Sequence, residues 1–313
     1  MISPVVGVAE EKRTLQDESI YDLLVDRFNN GDFENDLDTD TRNPSKFSGG
    51  DFAGIIDRLE YFSEMGFTLI SVGPIFSTET YDGSEVLDYE KLEPHFGTKE
   101  DFTKMIDAIH EKNIGVVADF PLNGVSENHV WVKDGLLPTV PASEGTVDWV
   151  HTDAEVKGML KDAIVSFVNA YELEGIRITD LGQFDIAYLN EVIAAVKDAK
   201  PNMYVFTTEA TQAEFDGAPN FEKSEAIQQA YVTYDPDTSQ LSLFNDNVDT
   251  DFIQFDELTG PRFTHKMVEE RMFPPARWKL ALAALFTLPG VPVVTYETEM
   301  AVNGKEAPES HPL

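Results

Sequence analysis

The chain has 313 residues, of which 42% are hydrophobic, and this suits one α/β barrel of roughly 250 residues or more. Its 57 acidic and 23 basic residues give a formal net charge of −34, which repels nucleic acid and anionic lipid surfaces. No run approaches the ~18 apolar residues of a membrane span. The absence of cysteine excludes disulfides and thiolate metal sites. Neutral ligands and cations remain as candidates.

The amino terminus is apolar up to Ala9 and turns polar at Glu10. We interpret residues 1–9 as the remnant of a secretory signal and expect a secreted or cell-surface protein. A frayed apolar terminus is the alternative. Residues 10–313 are then expected to form one catalytic-type barrel domain.

Short β-rich runs alternate with amphipathic helical patterns, which indicates repeated βα units and a parallel sheet. The predicted strands are residues 20–25, 68–72, 114–118, 175–178, 203–207, 241–244 and 291–296. The predicted helices, from apolar residues at i, i+3, i+4 and i+7, are 55–62, 102–109, 156–168, 189–196 and 278–288. Together these elements predict an α/β fold of the (β/α)8 TIM-barrel type.

Residues 121–152 are rich in proline and glycine and have little periodicity, which predicts a short insertion after the third strand. Only about 40 residues separate Glu209 from Asp249, so we expect a reduced sixth unit. The chain ends at Leu313 without a convincing final helix. We therefore expect a barrel that is incomplete at its carboxyl end and lacks a C-terminal β domain, and a fragment of a gene is an alternative interpretation.

Reactive residues of such barrels lie at the carboxyl ends of strands. The polar residues in those places are Asp119, Asn123, Arg177, Thr179, Glu209 and the run Asp246–Asp249. Retaining glycoside hydrolysis needs two carboxyl groups about 5–5.5 Å apart, one as nucleophile and one as proton donor. Of the strand ends, only the one at Glu209 has an acid suited to proton donation.

The order and spacing of these residues resemble the α-amylase family of glycoside hydrolases, from Ser19 to about Gly304. Residues 119–124 resemble the motif Asp-x-x-x-Asn-His, with Gly124 in place of the histidine. Residues 175–179 resemble Gly-x-Arg-x-Asp, with threonine in place of the nucleophilic aspartate. Residues 246–249 resemble Asp-Asn-His-Asp, with valine in place of the histidine.

The resemblance implies roles for individual positions. Thr179 stands at the nucleophile position, Glu209 at the acid/base position and Asp249 at that of the transition-state stabiliser. It further implies that Arg177 orients the nucleophile and that Asp119 and Asn247 bind substrate. Ser84 stands where the family has a tyrosine that stacks on the sugar, so four residues of one subsite are replaced together.

Four replacements in one subsite predict a barrel with impaired hydrolysis, which retains α-glucan binding or serves as a scaffold for a protein partner. The alternative is an active α-1,4-glucan hydrolase or transglycosylase with Glu209 as acid/base and a displaced nucleophile. Asp180 would serve only if the end of its strand has already turned, because neighbouring strand residues point to opposite faces. A further interpretation is that Arg177 and Asp249 form a buried ion pair.

The loop at residues 29–36 concentrates carboxylate and amide oxygens, and residues 49–51 follow in a turn-prone segment. Calcium prefers six to eight such oxygen ligands. The spacing resembles the amino-terminal calcium site of cyclodextrin glucanotransferases, and this resemblance implies a structural Ca²⁺ bound by Asn30, Asp32, Asn35, Asp36, Asp51 and the carbonyl of Gly49. A plain turn rich in Asn and Asp is the alternative.

Overall fold

The computed structural model describes residues 13–143, 145–233, 235–245, 250–256, 262–269, 275–305 and 311. The signal-like segment at residues 1–9 and the run at residues 246–249 lie outside these ranges.

Eight parallel strands form the main sheet. In chain order they are β1 (Ile20–Leu24), β2 (Leu69–Gly73), β3 (Gly115–Pro121), β4 (Gly175–Thr179), β5 (Tyr204–Thr207), β6 (Ala218–Pro219), β7 (Asp251–Gln254) and β8 (Val291–Thr295).

Each strand pairs with its neighbours in the chain, in the order β5-β4-β3-β2-β1-β8-β7-β6. The pairing of β1 with β8, for example Ile20 with Val293, joins the first strand to the last. A single parallel bridge between Phe206 and Gly217 connects β5 to the residue before β6. The predicted (β/α)8 barrel is therefore confirmed.

Helices alternate with the strands along the chain, and one lies in the insertion after β3. They are Val25–Phe28, Phe52–Asp57, Leu59–Met65, Lys99–His110, Val130–Lys133, Ala154–Ala170, Ile186–Ala199, Phe221–Tyr231, Phe263–Glu269 and Pro275–Leu285. Each of the five predicted helices is present, and the one predicted over 55–62 is divided in two at Arg58.

Local sequence explains the best-defined helices. Thr98 and Asp101 form a capping box at the start of Lys99–His110, so two amide groups of the first turn are satisfied. The apolar positions Phe102, Met105, Ile106 and Ile109 are fully buried against the barrel. The 3.6-residue period of the sequence thus sets which face of the helix packs.

The strand predicted at residues 241–244 is wrong, because this segment belongs to the 3₁₀-helix Ser239–Asn245. The sixth and seventh strands are instead β6 and β7, which are two and four residues long. Strands this short carry too little periodicity to be recognised from the sequence. The sixth unit, which was predicted to be reduced, has a strand of two residues but keeps the helix Phe221–Tyr231. It is the fifth unit that lacks a helix, because residues 208–217 contain none.

The insertion at residues 121–152 contains the helix Val130–Lys133 and a small antiparallel sheet. Its strands are Val125–Ser126, Thr139–Pro141 and Thr146–Trp149. A hairpin of Phe76–Thr78 and Val86–Leu92 follows β2. Among the described residues, no helix has both the length and the apolar character needed to cross a membrane.

Candidate active site

An apolar layer forms the floor of the barrel interior. Its buried members are Leu15, Ile20, Leu69, Val117, Phe206, Phe252, Val291 and Val293. All but Leu15 come from barrel strands, as expected where inward residues of parallel strands stack in layers. The next inward residues, one step towards the carboxyl ends of β1, β3 and β4, are charged.

Three of these charged groups meet above the floor: Asp22 of β1, Asp119 of β3 and Arg177 of β4. The arginine donates two hydrogen bonds of 2.7 Å to Asp119, from Nε to Oδ1 and from Nη2 to Oδ2. Nη2 also donates to Asp22 Oδ1 at 2.7 Å. All three residues are buried. We call this group the arginine triad.

Glycine makes room for the triad. A Cβ atom at Gly73 would lie only 2.1 Å from Asp119 Oδ2, so no larger residue fits beside this carboxylate. Burial raises the pKa of Asp119, and the attraction of Arg177 offsets this only in part. Burial alone would lower the pKa of Arg177, but the two carboxylates more than compensate and the pKa is raised.

Thr179 is the last residue of β4 and lies two positions beyond Arg177. Because side chains alternate along a strand, Thr179 is on the same inward face as Arg177. Its hydroxyl donates a 2.9 Å hydrogen bond to Asp180 Oδ2. The predicted nucleophile position therefore lies at the mouth of the barrel, and its side chain is bound to the next residue.

Asp180 meets the condition set by the sequence, since the end of the strand has turned. Its φ of 53° is left-handed, which is uncommon for a residue other than glycine. The residue is exposed, yet desolvation of its carboxyl group raises its pKa. Repulsion from Glu209 and Asp148 adds to this shift, while the hydrogen bond from Thr179 opposes it.

Glu209 lies in the segment that follows β5, and it is half-buried. Its Oε1 accepts a 2.6 Å hydrogen bond from the backbone amide of Leu181. This contact ties the end of β5 to the end of β4. The structure thus brings Glu209 close to Asp180 and Thr179, at the edge of the barrel where the sequence predicted the reactive groups.

Asn247 and Asp249 lie outside the described residues. They were placed at the carboxyl end of a strand at residues 241–244, and that strand does not exist. The strand that follows them, β7, begins at Asp251. Arg177 finds its partners in the arginine triad, so the predicted pair with Asp249 is not needed to balance its charge.

Asp256, just after β7, is a buried acid that the sequence reasoning missed. Its side chain accepts hydrogen bonds from the amide of Phe263 and the hydroxyl of Thr298. Its backbone carbonyl accepts a 2.9 Å bond from Thr295 Oγ1. A carboxylate directly after Phe255, at the end of the largely apolar run 252–255, was the available signal.

Asp22 was also missed, because it lies inside a strand and not at its end. An acid within the buried run Ile-Tyr-Asp-Leu-Leu needs a cationic partner, and this signal predicts an ion pair.

Ser84 is exposed and donates to Asp82 Oδ1 at 2.9 Å. It has no flat surface on which a sugar ring could stack.

The predicted calcium loop brings several of its polar groups together. Asn30 Nδ2 donates to both oxygens of Asp36, at 3.0 and 2.9 Å. A Cβ atom at Gly49 would lie 2.4 Å from Asp36 Oδ1, so the loop closes tightly around these groups. The buried Oδ1 atoms of Asn30 and Asn35 accept no hydrogen bond from the described residues.

Another predicted ligand, Asp51, is already engaged in hydrogen bonds within the loop. Asp51 accepts bonds from the amides of Gly31, Asp32 and Gly54 and from Asn35 Nδ2. Within the described residues, no cluster of three acidic or histidine side chains could hold a metal. Amide and carbonyl oxygens would have to complete any cation site. The two orphaned amide oxygens fit that requirement, because a buried acceptor without a partner is costly.

Comparisons with known proteins point to the same fold. The alpha-amylase catalytic domain family matches residues 22–159. The intracellular maltogenic amylase of Bacillus subtilis (strain 168) is 24% identical over 330 aligned residues, which cover 92% of this chain and 56% of that protein. A cyclomaltodextrinase of Thermoanaerobacter pseudethanolicus is 24% identical, with coverage of 93% and 58%. The chain therefore spans little more than half the length of these curated relatives.

Two solved structures superimpose over nearly the whole chain. The crystal structure of an Anoxybacillus alpha-amylase has a TM-score of 0.86 at 29% identity, and covers 96% of this chain and 75% of its own. The alpha-amylase of Geobacillus thermoleovorans, complexed with acarbose, gives 0.86 at 28% identity with the same coverage. With the barrel and the strand-end groups described above, these matches show that the chain has an α-amylase-type barrel and is similar to members of the α-amylase family over most of its length.

Proposed function

We propose that this barrel binds α-glucans and that its hydrolytic step is impaired or lost. The observation that carries the proposal is Thr179 on the inward face at the end of β4, two residues beyond the buried Arg177. A retaining mechanism needs a carboxylate there to attack the sugar carbon. Removal of a nucleophile from such a unit typically costs several powers of ten in rate.

The chain around β7 supports the same proposal. The family's second aspartate is expected at the carboxyl end of the seventh strand, and β7 ends at Gln254. If the motif is placed directly after β7, it falls on residues 256–259 (Asp-Glu-Leu-Thr) and not on residues 246–249 as predicted from the sequence. Threonine then stands in its last place, where the sequence prediction had Asp249. Asp256 is already engaged by Phe263 and Thr298.

The ligand class follows from charge and from the relatives. A net charge of −34 disfavours anionic ligands and is compatible with a neutral carbohydrate. Relatives are named maltogenic amylase and cyclomaltodextrinase, and one similar structure contains acarbose. We therefore propose maltooligosaccharides as the ligands of the barrel mouth.

One observation favours a second candidate, an active glucan hydrolase or transglycosylase with a displaced nucleophile. Asp180 has turned at the strand end, and its carboxyl group is within electrostatic range of Glu209. These two acids would then be nucleophile and acid/base. The raised pKa of Asp180 works against this role, because a nucleophilic carboxylate must be ionised.

Two measurements on the same protein separate the candidates. We expect maltoheptaose to bind in calorimetry and to release no reducing sugar during prolonged incubation. The variants Asp180→Asn and Glu209→Gln serve as controls for the second candidate. Turnover that disappears in both variants would replace the first proposal with the second. Absence of both binding and turnover would contradict both and favour a scaffold role.

We further propose that the loop at residues 29–51 binds a structural Ca²⁺. Support comes from the orphaned Oδ1 atoms of Asn30, whose amide nitrogen donates to Asp36, and of Asn35, whose amide nitrogen donates to Asp51. Once bound, the ion would supply positive charge for these acceptors and fix the loop against β1.

Calcium should raise the melting temperature and chelator should lower it, since an ion at 100 times its Kd adds about 2.7 kcal/mol of stability. Asp36→Asn should abolish the response. Asp57→Asn, which removes the same charge from an exposed helix end, should leave it intact. An equal calcium response in all three proteins would contradict the site.

A further inference from the structure

The arginine triad contains two carboxylates and one guanidinium, all buried above an apolar floor. A buried arginine needs carboxylate partners, because an unpaired charge in such a place is very costly. Asp119 supplies the two-point contact from the neighbouring strand β3. Asp22 supplies a third bond from β1, in addition to the two-point contact that Asp119 already makes.

The place of the second carboxylate is informative. Arg177 and Thr179 share the inward face of β4, so a carboxylate at position 179 would lie directly above the guanidinium. Asp180, one residue further along, already contributes to raising the pKa of Asp119. Position 179 is therefore within electrostatic range of the triad. It is the other place from which a second acid could balance Arg177.

We propose that Asp22 is a positioning residue that takes over, from β1, the charge-balancing role that a carboxylate at position 179 would have. The barrel then accommodates Asp119 and one further acid beside Arg177, either at position 22 or at position 179.

A double-mutant cycle that moves a carboxylate from position 22 to position 179 tests this proposal. It measures the folding equilibrium and so does not depend on hydrolytic activity. The variants are Asp22→Asn, Thr179→Asp and their combination, and the urea midpoint of unfolding is measured for each. Thr179→Asp should lower the midpoint in the parent, where it creates a third carboxylate. It should raise the midpoint in the Asp22→Asn background, where it restores the second.

Thr179→Asn is the matched control, since it has the shape of the aspartate variant without its charge. It should shift the midpoint by the same amount in both backgrounds. Repulsion from Asp180 is common to both backgrounds and cancels in the cycle. The advantage of Asp over Asn at position 179 in the Asp22→Asn background should also decrease as the pH falls through the carboxylate range near 4.

The same shift for Thr179→Asp in both backgrounds would overturn the proposal. Asp22→Asn is expected to fold, because Asp119 alone still pairs both the Nε and Nη2 groups of Arg177. Should it not fold, recovery of folding by Thr179→Asp and not by Thr179→Asn would support the proposal more strongly. Failure of both double variants to fold would refute it.

Discussion

At the scale of single residues, the interior of the barrel depends on one cation. Arg177 is the shared partner of Asp22 and Asp119, and the exposed fractions of the three side chains are only 7%, 8% and 11%. Replacement of the arginine would leave two largely buried acids without their shared cationic partner. The cost of such a change depends on burial more than on the number of bonds.

Arg177→Met should therefore lower the free energy of unfolding by about 3–5 kcal/mol, the usual loss when one partner of a buried ion pair is removed. Lys157→Met is the control, because it breaks the 2.7 Å pair with the exposed Asp185. That loss should be about 1 kcal/mol or less. Urea unfolding monitored by circular dichroism measures both, and equal losses would show that the triad is not the stabilising feature.

At the scale of elements, a histidine fastens the long loop after β1 to the barrel. His95 Nδ1 lies 2.6 Å from Glu93 Oε1, and Nε2 lies 2.9 Å from Asp38 Oδ1. Its ring stacks on Phe47 with 3.8 Å between centroids. Two carboxylate partners require both ring nitrogens to donate, so the bound form is the imidazolium.

Burial alone would lower the pKa of His95, but the bonds to Glu93 and Asp38 outweigh it and raise the pKa. A raised folded-state pKa contributes stability that is complete below the ordinary value of 6.5 and is lost as the pH rises through the folded-state value. His95→Gln should therefore destabilise the protein more at pH 6 than at pH 9. Melting curves at the two values measure this.

Asp38→Asn removes the negative charge of this contact from the loop side and should show the same decline with pH. A loss of stability that is constant between pH 6 and pH 9 in both variants would mean that His95 contributes by packing on Phe47 and not by its charge.

At the scale of the whole molecule, the sequence predicted the barrel because long amphipathic segments carry a strong period. The helix Ala154–Ala170 buries Val156, Leu160, Ile164 and Val168, and this spacing is visible in the sequence. The strands β6 and β7 could not be predicted, because pairing with their neighbours defines them more than their own two or four residues do. The run at 241–244 was misassigned as a strand, because four residues alone do not show whether a partner strand lies beside them.

The candidate site was predictable where chemistry coincides with a strand end, as at Arg177, Thr179 and Glu209. The site was not predictable where a residue's role depends on the three-dimensional arrangement of the strands or on a backbone angle. The partner role of Asp22 depends on the closure of β1 beside β2 and β8, which brings residues 155 apart into contact. The turn at Asp180 depends on one backbone angle of 53°, which no local sequence pattern specifies.

The bridge between Phe206 and Gly217 has a mechanical consequence for the barrel. Seven of the eight strand junctions are continuous ladders, and the eighth junction is a single isolated bridge. A Cβ atom at Gly217 would lie 2.4 Å from the ring of Phe252 in the floor. Any side chain at position 217 would therefore break the bridge to Phe206 and displace Phe252 from the apolar layer. The other seven junctions would keep their pairing.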